Sequence, residues 1–211
     1  NQGLQQAIVV VPERSIGGSF ADEPLSQHGF YWDWQVAPQW NLCNAPGIDE
    51  PRVAKSKVDA VRSFLDSGDK VLVCTHATFR FAVEELGIDA FDNRLIAIDE
   101  FHHVSANPGN KLGSQLSAFI NRDKVHLVAM TGSYFRGDSE AVLAPSDENK
   151  FETVTYTYYE QLNGYRWLKS LDIGYFFYTG RYVDAVAKVL DPALKTIVHI
   201  PHPAARESLK D

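Results

Sequence analysis

Unbroken apolar runs and helical spacings alternate along the first 130 residues of the chain. Ala7-Ile8-Val9-Val10-Val11 is a continuous apolar run ended by Pro12, which predicts a strand buried on both faces. Val58, Val61, Phe64 and Leu65 recur at helical spacing over 54–67, and Gly68 follows as a stop. Residues 70–75 form the next apolar run, and a short helix is expected over 78–86 with Gly87 as its cap. Residues 94–99 predict a third strand. Leu112, Leu116, Phe119 and Ile120 mark a helix after it, and 125–131 predict a fourth buried strand. Strands alternating with helices imply an α/β fold around a mainly parallel sheet.

Two stretches break this rhythm. Residues 15–52 are rich in Gly, Pro and aromatics, including Trp32, Trp34 and Trp40, and read as a long structured insertion. After residue 150, 154–159 look strand-like, 161–171 helical and 175–178 strand or connector. Residues 181–190 look helical again, and 195–200 read as another buried strand. A domain boundary is placed near 178, giving domains 1–178 and 179–211.

The chain carries 27 acidic against 20 basic residues, a net charge of −7. That argues against a surface broadly coated for nucleic acid, but not against a narrow groove lined by a few cations and amides. Cys43 and Cys74 are the two cysteines, expected as free buried thiols in a reducing cytoplasm. No apolar run is long enough to span a membrane, and no signal-peptide pattern opens the sequence.

In parallel sheets ligands bind at the carboxyl ends of the strands. The polar residues stand there: Pro12-Glu13-Arg14, Thr75-His76, Asp99-Glu100 and Thr131-Gly132-Ser133. Asp99-Glu100 follows an apolar strand and precedes His102 and His103. An acid pair so placed suits phosphoryl transfer: Asp99 for Mg²⁺ through a water, Glu100 for orienting the attacking water. The alternatives are an acid pair capping the next helix, or a transition-metal centre built with both histidines. Phe30, Tyr31, Trp32, Trp34 and Trp40 would form either a base-stacking platform or a local core beneath the insertion. The Tyr and Phe residues over 156–178 read as interdomain packing.

Asp99-Glu100-Phe101-His102 resembles motif II (Walker B) of the superfamily 2 helicases and translocases, in the DEAD/DEAH-like branch. Met130-Thr131-Gly132-Ser133 resembles motif III, with Gly132 where that family usually has Ala and Tyr134 where it has Pro. Val9 to Glu13 is similar to motif Ia, Val73 to Thr78 to motif Ib, and Lys195 to Ile200 to motif IV. The resemblance covers nearly the whole chain. It implies a RecA-like three-layer fold over 1–178, and over 179–211 a linker with the first strand of a second RecA-like domain. It also implies ATP and Mg²⁺ as cofactors, with Asp99, Glu100 and His102 catalytic and Thr131 and Ser133 coupling the ATP site to a nucleic-acid groove. Pro12, Glu13, Arg14, Thr75, His76, Thr78 and Arg136 would contact nucleic acid, DNA rather than RNA. Arg80 and the amides near Gly17-Gly18 are further phosphate candidates.

No Gly-x-x-x-x-Gly-Lys-Ser/Thr stretch occurs; this loop normally holds the β- and γ-phosphates. In the resembled family it precedes motif Ia, so the chain is expected to be an internal segment, from motif Ia to motif IV. By itself it is expected not to hydrolyse ATP. The competing reading is a degenerate RecA-like module that binds nucleic acid or protein without hydrolysis.

Overall fold

The structure is a computed structural model. It describes residues 3–44, 51–104, 109–132, 141–157, 160, 174 and 176–198, with backbone alone for 51–56. Two compact units divide the chain, 1–153 and 154–211.

The first unit is built on four strands: β1 (Ala7–Val11), β2 (Val71–Thr75), β3 (Leu95–Ile98) and β4 (His126–Ala129). All pair in parallel in the order β2-β1-β3-β4. β1 and β3 are therefore central, which is why their sequences are apolar at every position. The helices are α1 (Arg14–Gly18), α2 (Pro51–Leu65), α3 (His76–Leu86), α4 (Lys111–Arg122) and the short α5 (Pro145–Glu148). A four-stranded parallel sheet with these helices is an α/β fold of the RecA-like kind.

Each face of the sheet has its own core. On one face Ile8, Val10, Leu72, Cys74, Ile96 and Ile98 pack against Val58, Val61 and Phe64 of α2, Phe79 of α3 and Leu116 of α4. Phe79, Phe91 and Phe119 meet with ring centroids 5.5 to 6.1 Å apart. Emptying one such buried ring to Ala costs about 3–5 kcal/mol. On the other face Val9, Val11, Val73 and Ala97 pack against Cys43, with Ile16, Phe20 and Trp34 at the margin. That second layer comes from residues 14–44. It holds α1 and the 3-10 turns Leu25–His28 and Pro38–Trp40, and Asn41-Leu42 runs along the outer edge of β2.

The base of the sheet, where the strands begin, is clamped by buried Gln6. Its amide donates to the carbonyls of Phe64, Ser67 and Asp69 at 2.7 to 3.2 Å, and its Oε1 accepts from Arg94 Nε at 2.7 Å. Arg94 donates in turn to the carbonyls of Ala90, Asp92 and Leu65.

Helix boundaries follow local chemistry. Thr75 caps α3 by accepting from the Thr78 amide, so this helix begins at His76, earlier than the residue 78 expected from spacing. Asn110 caps α4, which ends at left-handed Asp123. The strand expected over 125–131 is shorter and is not buried on both faces: β4 is the edge strand, and Val128 remains 39% exposed. The two cysteines are buried and free, as expected.

In the second unit α6 (Tyr182–Val189) forms where helical spacing predicted it. The described residues 154–157 and 195–198 carry no strand. Val154 and Ile197 are almost fully exposed, against the expectation of strands there; an apolar run needs a neighbouring strand to complete its ladder. Tyr156, Phe176 and Phe177 are likewise exposed rather than packed. The helix expected over 161–171 lies outside the described residues. Among the described residues no helix is long and apolar enough to cross a membrane.

Candidate functional site

The parallel register brings the carboxyl ends of all four strands to one edge, where Pro12, Thr75, Asp99 and Met130 follow the last paired residues or close the strand. Strand order reverses about β1, and parallel sheets take ligands at such a point. Asp99 and Glu100 leave β3 there.

The backbone turns sharply at the acid pair. Glu100 has φ 48° and ψ 49°, a left-handed conformation for a residue with a full side chain. Four hydrogen bonds hold it. Asp99 N donates to Val10 O, Glu100 N to Asp99 Oδ1 and Phe101 N to Met130 O, each at 2.9 Å, and His76 Nε2 lies 2.9 Å from Asp99 O. A 3-10 turn, Phe101–His103, follows, with the Phe101 ring buried as its anchor.

His102 joins the acid pair to β4. Its Nδ1 lies 3.0 Å from Glu100 Oε2 and 3.0 Å from Thr131 Oγ1. A carboxylate only accepts, so this contact requires the proton on Nδ1. The imidazole thereby ties the acid that follows β3 to the hydroxyl that follows β4. The His103 ring lies against it, with centroids 4.4 Å apart.

Glu13 and Arg14 are exposed beside the same edge; Glu13 accepts from Ser15, and Arg14 Nε donates to Cys43 O at 3.2 Å. Pro12 is half-buried between them and β1. Thr75 and Thr78 bond each other across the first turn of α3, and Thr78 is buried, with its hydroxyl against the capping Thr75 Oγ1. His76, read from sequence as a nucleic-acid contact, is turned onto the Asp99 carbonyl, and burial pushes its pKa below the ordinary imidazole value. Ser133 and Arg136 lie outside the described residues. Arg80 sits on α3 with its guanidinium 4.6 Å from the Phe81 ring centroid.

Sequence reasoning placed His76 at this edge but did not give its contact with the Asp99 carbonyl, for which local sequence carries no signal.

The donor set fits Mg²⁺ of a nucleotide complex. Mg²⁺ keeps several waters and takes one or two carboxylates plus phosphate oxygens, and Asp99 offers a half-exposed carboxylate at the strand end. A metal centre built from both histidines does not fit: among the described residues no group of three or more His, Cys, Asp or Glu could hold an ion.

Over all its 211 residues the chain is 53% identical to a Bacillus subtilis (strain 168) protein named "Putative ATP-dependent helicase YeeB". It spans 34% of that protein's length. No protein-family model matches the chain, and no solved structure does. The similarity over the whole chain supports the resemblance to helicases.

Proposed function

We propose that this segment is the water-activating and nucleic-acid-gripping part of an ATP-dependent helicase or translocase acting on DNA, of the kind that drives restriction systems, in the cytoplasm. The observation that carries the reading is the Glu100–His102–Thr131 linkage at the ligand edge of a parallel sheet. In this role Asp99 would hold Mg²⁺, and the ion would supply charge neutralisation for the phosphates of a bound nucleotide. Glu100 orients the attacking water and takes its proton. His102 holds the Glu100 carboxylate and reports its state to Thr131, which leads into the residue 131–136 connection. Glu13, Arg14 and, beyond the described residues, Arg136 meet the DNA backbone. By the family resemblance residues 1–178 would make up the first RecA-like domain, with the compact unit 1–153 carrying its described sheet, and 179–211 would lead into a second.

The 211 residues contain no Gly-x-x-x-x-Gly-Lys-Ser/Thr loop, so we assign turnover to a longer polypeptide that joins this segment to one. The test is ATPase activity of that polypeptide with and without duplex DNA or RNA. DNA stimulates it more than RNA, Glu100→Gln lowers the stimulated rate by about 10²-fold or more, and the 211-residue chain alone is inactive. DNA-stimulated hydrolysis by the isolated chain, or full activity of Glu100→Gln, refutes the proposal. A longer protein lacking such a loop is instead a non-hydrolysing binding module.

A further inference from the structure

The stretch between Arg14 and Arg52 contains no Lys or Arg, but it carries Asp22, Glu23, Asp33, Asp49 and Glu50. Within it Phe30, Tyr31 and Trp32 are 61%, 95% and 73% exposed. Three consecutive large rings facing water are a costly arrangement unless something covers them.

These rings are held outward by a built turn. Ser26 N and Oγ both donate to Asp33 Oδ1, at 2.9 and 2.6 Å. Glu23 and Trp34 exchange two backbone hydrogen bonds of 2.9 Å, and Val36 N donates to Asp22 Oδ1 at 3.1 Å. Gly29, at φ 89°, supplies the left-handed step that reverses the chain before Phe30. The conformation is thus set before any partner arrives, which lowers the ordering cost of binding.

Two hollows adjoin the turn. One, of about 300 Å³, lies beneath the rings, and a larger one of about 1040 Å³ runs past Trp34, Val36 and Trp40 to the strand beginnings at Ala7, Val71 and Leu95. Both share Trp32, Asp33 and Trp34 as walls. They form one aromatic-walled groove at the edge of the sheet opposite Asp99 and Glu100.

Charge selects the occupant. Among the described residues Asp22, Asp33 and Asp69 line the larger hollow, against Lys70 as its single Lys or Arg. Platforms that stack nucleic-acid bases sit in positively charged grooves that follow the phosphates, and this rim repels phosphate. A second copy paired through the same face would bring two acidic rims together. Apolar rings within a carboxylate rim complement an apolar side chain flanked by cations. We propose that the Phe30-Tyr31-Trp32 turn and its groove dock a protein segment carrying an aromatic or aliphatic anchor flanked by Lys or Arg.

The test is selection of a random peptide library displayed on phage against the intact 211-residue chain, with the Tyr31→Ser/Trp32→Ser double variant as counter-target. Both altered positions are exposed, and circular dichroism checks that the variant is folded. The expected result is enrichment of peptides with an apolar anchor beside Lys or Arg. An enriched peptide made synthetically binds at least about tenfold more weakly to the double variant, as loss of aromatic hot spots requires. Its binding weakens with added salt and with Glu23→Lys, which leaves the rings in place. Enrichment of acidic or uncharged peptides, equal enrichment on the double variant, or no enrichment overturns the proposal. So does Trp32-dependent binding of a deoxythymidine oligomer, or Trp32-dependent dimerisation in sedimentation. None of these readouts uses ATP, so the outcome is independent of the reading of Asp99 and Glu100.

Discussion

Glu100 occupies the left-handed region at φ 48°, and this makes a measurable demand on stability. The informative comparison is Glu100→Gly against Glu100→Ala in the 211-residue chain. Both remove the carboxylate, so the loss of the 3.0 Å contact to His102 cancels between them. What differs is the Cβ. A left-handed backbone costs an L-residue roughly 1–2 kcal/mol, while glycine forfeits roughly 0.5–1 kcal/mol through the freedom of its unfolded chain. The balance favours the Gly variant by about 0.5–1 kcal/mol. For a chain of this size that is roughly 1–4 °C in Tm, or a corresponding shift of the urea midpoint at unchanged slope. Strain of this kind persists where the surroundings over-determine it, which is common at reacting sites. An Ala variant as stable as the Gly variant, or more so, would show that Glu100 is not held left-handed.

Three further outcomes follow from the same geometry. His76 has a depressed pKa, so the folded chain prefers the neutral ring, while the unfolded chain takes up a proton near pH 6.5. Stability contributed by this group is complete above about pH 6.5 and is lost as pH falls below it; denaturant midpoints for wild type and His76→Asn should converge towards acid. Burial raises the pKa of both Cys43 and Cys74, so alkylation at pH 8 is expected to be on the order of a thousandfold slower in the native chain than in urea. Rapid labelling of either thiol in the folded chain contradicts that burial. On the proposed helicase function, Thr131→Val removes the hydroxyl bonded to His102; a bond worth about 1 kcal/mol predicts roughly fivefold less DNA stimulation of the proposed ATPase, with nucleotide affinity retained.

The central strands were legible because burial on both faces leaves no polar alternation to misread, as Ile8 to Val11 and Ile96 to Ile98 show. β4 is apolar after His126 but has an edge position, and edge position depends on strand order, which local pattern does not encode. α1 was hidden for another reason. Arg14-Ser15-Ile16-Gly17-Gly18 is too short and too glycine-rich to show a period, and Gly17 is there because a Cβ would run into Cys43. At the site, the link between His102 and Thr131 could be anticipated from chemistry at successive strand ends. His76 could not, since its reach to the Asp99 carbonyl depends on how α3 sits over the neighbouring strand ends.

The clamp at the base of the sheet has an evolutionary consequence. Gln6 is the donor for three carbonyls and the acceptor for Arg94. Glutamate at position 6 would keep the Arg94 contact but withdraw the amide donor from the carbonyls of Ser67 and Asp69, while Phe64 O would still accept from Ser67 N and Oγ; leucine would also take away the acceptor for Arg94 Nε. A side-chain amide meets both requirements, which couples what position 6 tolerates to what stands at position 94. Glu100 has no part in that clamp, so replacing it would leave the base of the sheet as it is, whereas replacing Gln6 or Arg94 would loosen the fold itself.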